Sequence, residues 1–143
     1  IEQILIYDPE QRDQATTERD LYVIRRRIEK QAIAAQIPEL YLCSLSSRSI
    51  IYKGMFLAES LSIFYPDLQD ERFVSRFAIY HQRYSTNTFP TWRLAQPFRT
   101  LAHNGEINTV SGNVNWMKAH ETRLSHPLLD AYLDDIKPIV QAG

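Results

Sequence analysis

Two short stretches hold the residue types that chemistry on a small polar molecule needs. In HQRYSTNT, residues 81–88, a guanidinium ends an alternating run and is followed by hydroxyls and an amide. Arg83 can grip a carboxylate through two parallel, charge-assisted hydrogen bonds, and the groups around Ser85 to Asn87 can orient the rest of an amino acid. The plainer alternative is a strand-end arginine paired with an acidic neighbour on the surface, where it contributes little. In HNGEINT, residues 103–109, Asn104 offers a side-chain amide and Gly105 a backbone N–H with no side chain in the way. Two fixed donors aimed at one oxygen make an oxyanion hole, and one such donor lowers a barrier by about 3 kcal/mol. Asn-Gly is equally a common turn dipeptide, so an ordinary turn competes with that reading.

Other reactive side chains carry less. His81 and His103 lie near strand ends without a metal-ligand spacing or a cysteine partner, and read as hydrogen-bonded structural histidines, so no metal site is expected. Cys43 sits in an apolar run between Leu42 and Leu45, where a buried, inert thiol is the default. Ser85 or Ser111 with His81 or His103 has the residue types of a serine hydrolase but lacks a nucleophile-elbow motif. Neither the phosphate-loop nor the dinucleotide glycine pattern occurs.

These groups need a scaffold, and the sequence suggests its parts. With 143 residues, 44% hydrophobic, the chain is of single-domain size and can bury a core. Its 16 basic and 17 acidic residues are interspersed, which leaves no electrostatic footprint for nucleic acid or an anionic membrane. No apolar run approaches the roughly 20 residues of a membrane span, and the single cysteine cannot form an internal disulfide. A reducing, cytoplasmic compartment fits. The start at Ile1, without an initiating methionine or signal-peptide pattern, leads to the expectation of an internal piece of a longer polypeptide.

Thr17 followed by Asp20 resembles a capping box, and Leu21, Ile24, Ile28 and Ala32 recur at helical spacing, which predicts an amphipathic helix over 18–36 ended by Pro38. Residues 40–45 and 48–52 are β-prone runs joined by serines, as in a hairpin. A short helix is expected within 56–64 and a strand over 77–84, with Phe77, Ile79, His81 and Arg83 on one face. Residues 85–99 carry Pro90 and Pro97 without a period and read as a long loop, a feature often tied to function. A short strand at 100–103 then leads into a helix capped by Asn108 or Thr109 and carrying Val110, Val114, Met117 and Leu124. Residues 127–140 read as one short helix and an irregular tail.

HQRYSTNT, then LAQPF, then AHNGEINTVSGNVNWM together resemble the class II glutamine amidotransferase domain of the glutamate synthase large subunit. The upstream YVIRRRIE and SRSIIYKGM segments extend the likeness over most of the chain. The resemblance implies an α+β fold, a four-layer αββα N-terminal-nucleophile sandwich of antiparallel sheets, of which residues 1–143 form part of one domain. It implies a glutaminase in which an N-terminal cysteine attacks the side-chain amide of glutamine, its own α-amine serving as base. By motif, Arg83 would clamp the substrate α-carboxylate, Thr86 and Asn87 would line the glutamine loop, and Asn104 with Gly105 would hold the oxyanion. Residues 84–99 would cover the pocket and keep ammonia from water.

The likeness departs from the family at two points. Ile1 is not the nucleophilic cysteine and Cys43 falls in an internal strand-like segment, so the nucleophile is expected outside this chain, as is the acidic residue that binds the substrate α-amine. The intact enzyme would pass ammonia to a synthase domain that makes glutamate from 2-oxoglutarate with FMN and an iron–sulfur cluster. Those cofactors belong to other domains, and the partners implied are glutamine, those remaining domains, and a small electron-transfer subunit or ferredoxin. A competing reading is a catalytically inert scaffold or partner-binding piece of the same fold, in which Arg83 and Asn104 are only structural.

Overall fold

Helix α1, Gln14–Ala34, organises the chain in the computed structural model, which describes residues 2–82, 89–98, 101, 103 and 109–140. It begins ahead of the expected boundary because Asp13, and not Thr17, caps it. The Asp13 carboxylate accepts the Thr16 N–H at 3.0 Å, satisfying one of the donors that every helix start leaves open. Asp20 of the anticipated capping box instead accepts from Arg12 at 2.7 Å. At the other end Gln36 takes a left-handed φ of 56°. Its N–H bonds to Ile33 O at 3.0 Å and that of Ile37 to Ala32 O at 2.9 Å, the paired bonds of a Schellman motif. The helix therefore stops before Pro38 acts.

The buried stripe of α1 differs from the apolar face read in the sequence. Val23 and Ala32 are buried, but Ile24 is 43% exposed, and Arg25 and Arg26 turn inward. Arg26 does so because its donors find fixed acceptors: Glu29 at 2.7 Å, Ile136 O at 3.3 Å and Pro138 O at 2.7 Å. Those carbonyls lie at and beyond the end of α4, Leu133–Ile136, where a helix leaves its last C=O groups unpaired and welcomes a cation. Arg27 adds a 2.7 Å ion pair with Asp135, and Lys30 donates to Asp134 O. The tail expected to be a short helix and an irregular end is thus docked on α1, with Ile136 only 2% exposed. Glu121, at the end of α3 (Val110–Glu121), accepts the Ile139 N–H at 2.6 Å and holds the same tail from the other side.

Between these helices the chain runs through turns and short helical pieces. The expected helix within 56–64 is a 3₁₀ turn, Ala58–Ser60, continued by α2, Leu61–Phe64. A second 3₁₀ turn, Pro66–Gln69, follows. Tyr52, Phe56, Phe64, Tyr65 and Phe73 pack their rings at centroid separations from 4.5 to 6.3 Å around this unit. Gly54 leaves room for one of them: a Cβ there would stand 2.2 Å from the Phe56 ring, which would have to move.

Among the described residues no segment forms a strand; the nearest to sheet structure is an antiparallel bridge between Phe98 and Leu101. The anticipated hairpin over 40–52 is replaced by side-chain bonding. Ser44 Oγ accepts the Ile51 N–H at 3.2 Å, and Ser46 Oγ accepts those of Arg48 and Ser49, so the serine hydroxyls take donors that a ladder would use. Residues 77–82 keep an alternating sequence, yet no described segment pairs with them, and a strand without a partner has no ladder to stabilise it. Helix α3 begins at Val110 after Thr109, whose side chain makes no capping bond, and Leu124 falls beyond its end. No described helix is long and apolar enough to cross a membrane.

The α1 terminus gives a direct test. Gln36 is exposed and holds a conformation that costs a side-chain-bearing residue energy but suits glycine. Gln36→Gly in the full-length polypeptide should stabilise the α1 end by about 0.5–1 kcal/mol. Slower hydrogen exchange of the backbone amides at positions 36 and 37 would report it, and faster exchange would refute the motif.

Candidate functional site

The described residue that fixes the segment ahead of the second motif is Lys53. Residues 51 and 53 alternate inward, Ile51 beside the core and Lys53 only 3% exposed. A buried ammonium is costly unless hydrogen-bonded, and Lys53 Nζ donates to Tyr41 Oη at 2.7 Å, Ala95 O at 2.8 Å and Arg93 O at 3.3 Å. It also lies 4.4 Å from the Tyr41 ring centroid and 5.6 Å from that of Phe98, where the ring faces favour a cation. Tyr65 Oη donates to Lys53 O at 2.8 Å and fixes the lysine backbone. The 41–65 unit thereby holds residues 93–98, the part of the long loop that leads to the second motif.

That loop closes on itself in a definite register. Phe98 and Leu101 exchange backbone hydrogen bonds at 2.7 and 2.9 Å. Two residues outward on each side, the Gln96 side chain replaces a main-chain partner: its Oε1 accepts the His103 N–H at 2.9 Å and its Nε2 donates to His103 O at 3.2 Å. His103 is thus held at both main-chain polar groups.

The residues singled out in the sequence fall unevenly. Arg83, Thr86, Asn87, Asn104 and Gly105 lie outside the described residues, as does Ser85. The described flanks are Gln82 and Phe89 around the first motif, and His103 and Thr109 around the second. Ser111 is exposed in the first turn of α3. Cys43 is half-buried, and burial pushes its thiol up against the opposing pull of the Lys53 ammonium, which disfavours the thiolate. Among the described residues no group of three or more histidine, cysteine or acidic side chains could hold a metal ion.

A cleft of about 230 Å³ lies between α1 and the serine turn, lined by Glu18, Tyr22, Arg25, Ser44, Ser46 and Ile51 among others. None of its lining residues belongs to either motif, so it is not the candidate site. Lys53 and Gln96 were not foreseen as part of the site's frame. The signal for Lys53 was a lone cation following the β-branched run Ile50–Ile51 on the inward side; Gln96 stands in the LAQPF segment that carries part of the resemblance, but its residue type announces no role there.

Comparison with known proteins bears on the whole chain. The family described as glutamine amidotransferases class-II matches residues 1–143. The large chain of NADPH glutamate synthase from Azospirillum brasilense is 66% identical over 143 residues, covering 100% of this chain and 9% of that protein. Chloroplastic ferredoxin-dependent glutamate synthase of Spinacia oleracea is 54% identical over 122 residues, 85% of this chain and 8% of its own length. The NADPH glutamate synthase large chain of Bacillus subtilis is 49% identical over 131 residues, 92% of this chain and 9% of that protein. The chain therefore spans less than a tenth of the curated relatives it matches.

The frame around Cys43 and Lys53 rests on the serine turn, which Glu18 of α1 secures. Its carboxylate accepts the Ser46 and Ser47 hydroxyls at 3.0 and 2.7 Å. Burial pushes Glu18 up, but the Ser47 and Ser46 hydrogen bonds outweigh it and leave its carboxyl below the usual range. A depressed folded value means that Glu18 contributes stability above the ordinary glutamate range, lost as pH falls through the folded value. Glu18→Gln should therefore lower stability near neutral pH and reduce the loss between there and strongly acidic pH, read from denaturant midpoints against pH. An unchanged acid limb would remove Glu18 from this role.

Proposed function

The chain belongs to the class-II glutamine amidotransferases, and from that premise we propose that it forms part of the glutaminase domain of a glutamate synthase large subunit. What carries the reading is the 66% identity with a glutamate synthase large chain over all 143 residues, both motifs included. The domain is a four-layer αββα sandwich of which residues 1–143 supply one part. Its exposed apolar side chains support this: Leu5 is 99% and Phe89 90% exposed, and such side chains in number mark surface that further protein covers.

In this reading Arg83 clamps the α-carboxylate of glutamine while Thr86 and Asn87 line the side of the pocket. The attacking thiolate comes from an N-terminal cysteine that is not among these residues, and its α-amine takes the thiol proton. The sulfur forms a bond to the amide carbon, and the resulting oxyanion is held by the Asn104 amide and the Gly105 N–H. Collapse breaks the C–N bond, ammonia leaves with the proton returned by the α-ammonium, and water then cleaves the thioester to glutamate. Residues 84–99 cover the pocket so that ammonia passes to the synthase domain, where 2-oxoglutarate is converted to glutamate.

FMN and an iron–sulfur cluster supply the reducing chemistry of that other domain. The residues here do not fit the cluster, because it takes several cysteine ligands and this chain has one, and no step in this domain runs through either group. The electron source, a small electron-transfer subunit or ferredoxin, is likewise a partner of those other domains. Cytoplasm or another reducing compartment suits this chemistry.

Glutamate release from glutamine by the full-length polypeptide tests the reading. Arg83→Ala should lower kcat/KM about 100-fold, mainly through KM, since it removes a bidentate charged contact worth about 3 kcal/mol. A well-folded parent protein that releases no glutamate, or an Arg83→Ala variant that matches the parent, would favour an inert scaffold of the same fold.

A further inference from the structure

The two main-chain bonds from Gln96 to His103 and the anchoring of Ala95 by Lys53 lie outside the roles assigned above. His103 immediately precedes Asn104 in the chain. A donor aimed at a developing oxyanion is effective only if it is already in place, and a displacement of about 1 Å costs up to roughly 100-fold in rate. The backbone leading into Asn104 therefore needs a rigid support. The 96–103 turn is too short to supply it through main-chain ladder bonds alone: the Phe98–Leu101 pair is the innermost, and two residues outward the bonds to His103 come from a side chain.

We propose that Gln96 is a positioning residue for the oxyanion-holding segment, acting through His103, with Lys53 as the post that fixes Gln96. The register supports it. Phe98 faces Leu101, and two residues outward on each side, at the next hydrogen-bonding position of the same antiparallel register, comes Gln96 with His103, where the primary amide imitates the donor and acceptor of a peptide group. Glutamine is the side chain with both groups at the reach this needs. Lys53 holds Ala95 O at 2.8 Å and Arg93 O at 3.3 Å, which pins the main chain on the side from which Gln96 extends. The resulting connection runs from a buried ammonium through Ala95 and the Gln96 amide to the residue before Asn104.

The inference rests on the glutaminase reading, and the experiment separates the two. Full-length enzyme is compared with Gln96→Met, which keeps the length of the side chain and removes both polar groups, and Gln96→Glu, which keeps the acceptor for the His103 N–H and loses the donor. Gln96→Met should lower kcat for glutamate release about tenfold with KM for glutamine within about twofold, because the oxyanion forms only in the transition state. Gln96→Glu should fall between it and the parent, and the thermal midpoint of both variants should stay close to the parent's. A parent enzyme without glutaminase activity overturns the functional reading itself. With an active parent, an unchanged kcat in Gln96→Met, a rise in KM at constant kcat, or a loss of kcat that follows loss of folded protein overturns the positioning role.

Discussion

An ammonium taken out of water governs the central part of this chain. Removing such a charge from solvent costs several kcal/mol, and only well-placed oxygens recover it. Lys53 meets that demand with a phenol and two main-chain carbonyls contributed from sequence positions 41, 93 and 95, and with the faces of two aromatic rings. Because its acceptors are so far apart in sequence, satisfying one side chain fixes the relative position of three segments. Tyr65 completes the arrangement by holding the lysine carbonyl, which joins the aromatic unit around α2 to the same point. The loop ahead of the second motif is thus positioned by a polar demand and only secondarily by apolar packing.

The same physics recurs at α1. Its inward face is built from Arg25 and Arg26 as much as from Val23 and Ala32, and Arg26 reaches the carbonyls of Ile136 and Pro138 where α4 leaves them open. A cation on the free carbonyls at a helix end satisfies two groups at once, the donor that burial would orphan and acceptors that the helix cannot use. Apolar stems of the arginines then contribute packing along the helix. Where the helical stripe of Leu21, Ile24 and Ile28 suggested an apolar seam, the seam that formed follows the acceptors.

These two cases show what could be read in advance. Helix α1 and the helix after Thr109 were legible because hydrophobic and helix-forming residues repeat over many turns, and such signals are local. The start of α1 was not, since Asp13 and Thr17 are both good caps and the choice depends on which carboxylate the neighbouring arginines engage. The inward turn of Arg26 and Lys53 was invisible for a stronger reason: their acceptors are main-chain carbonyls, which every residue carries, so no pattern of residue types announces them. The motif residues were the reverse case. Arg83 and Asn104 are conspicuous in sequence through their chemistry, and the family match covers them, while Lys53 and Gln96, which fix the turn ahead of Asn104, announce no role by residue type.

The apolar alternation at Phe77, Ile79 and His81 belongs to the same argument. A strand is a cooperative property of two chains, and sequence reports only what one of them offers. Serine hydroxyls at 44 and 46 supply local bonds and so close their turn without a partner; residues 77–82 have no such hydroxyls in their midst and depend on a second strand for their ladder. Among the described residues, segments that close by themselves with side-chain donors and acceptors of their own include the capped start of α1, the serine turn and the Gln96 turn. The turn that leads into Asn104 has the Gln96 side chain for this, whereas residues 77–82 read as a strand only through their alternation.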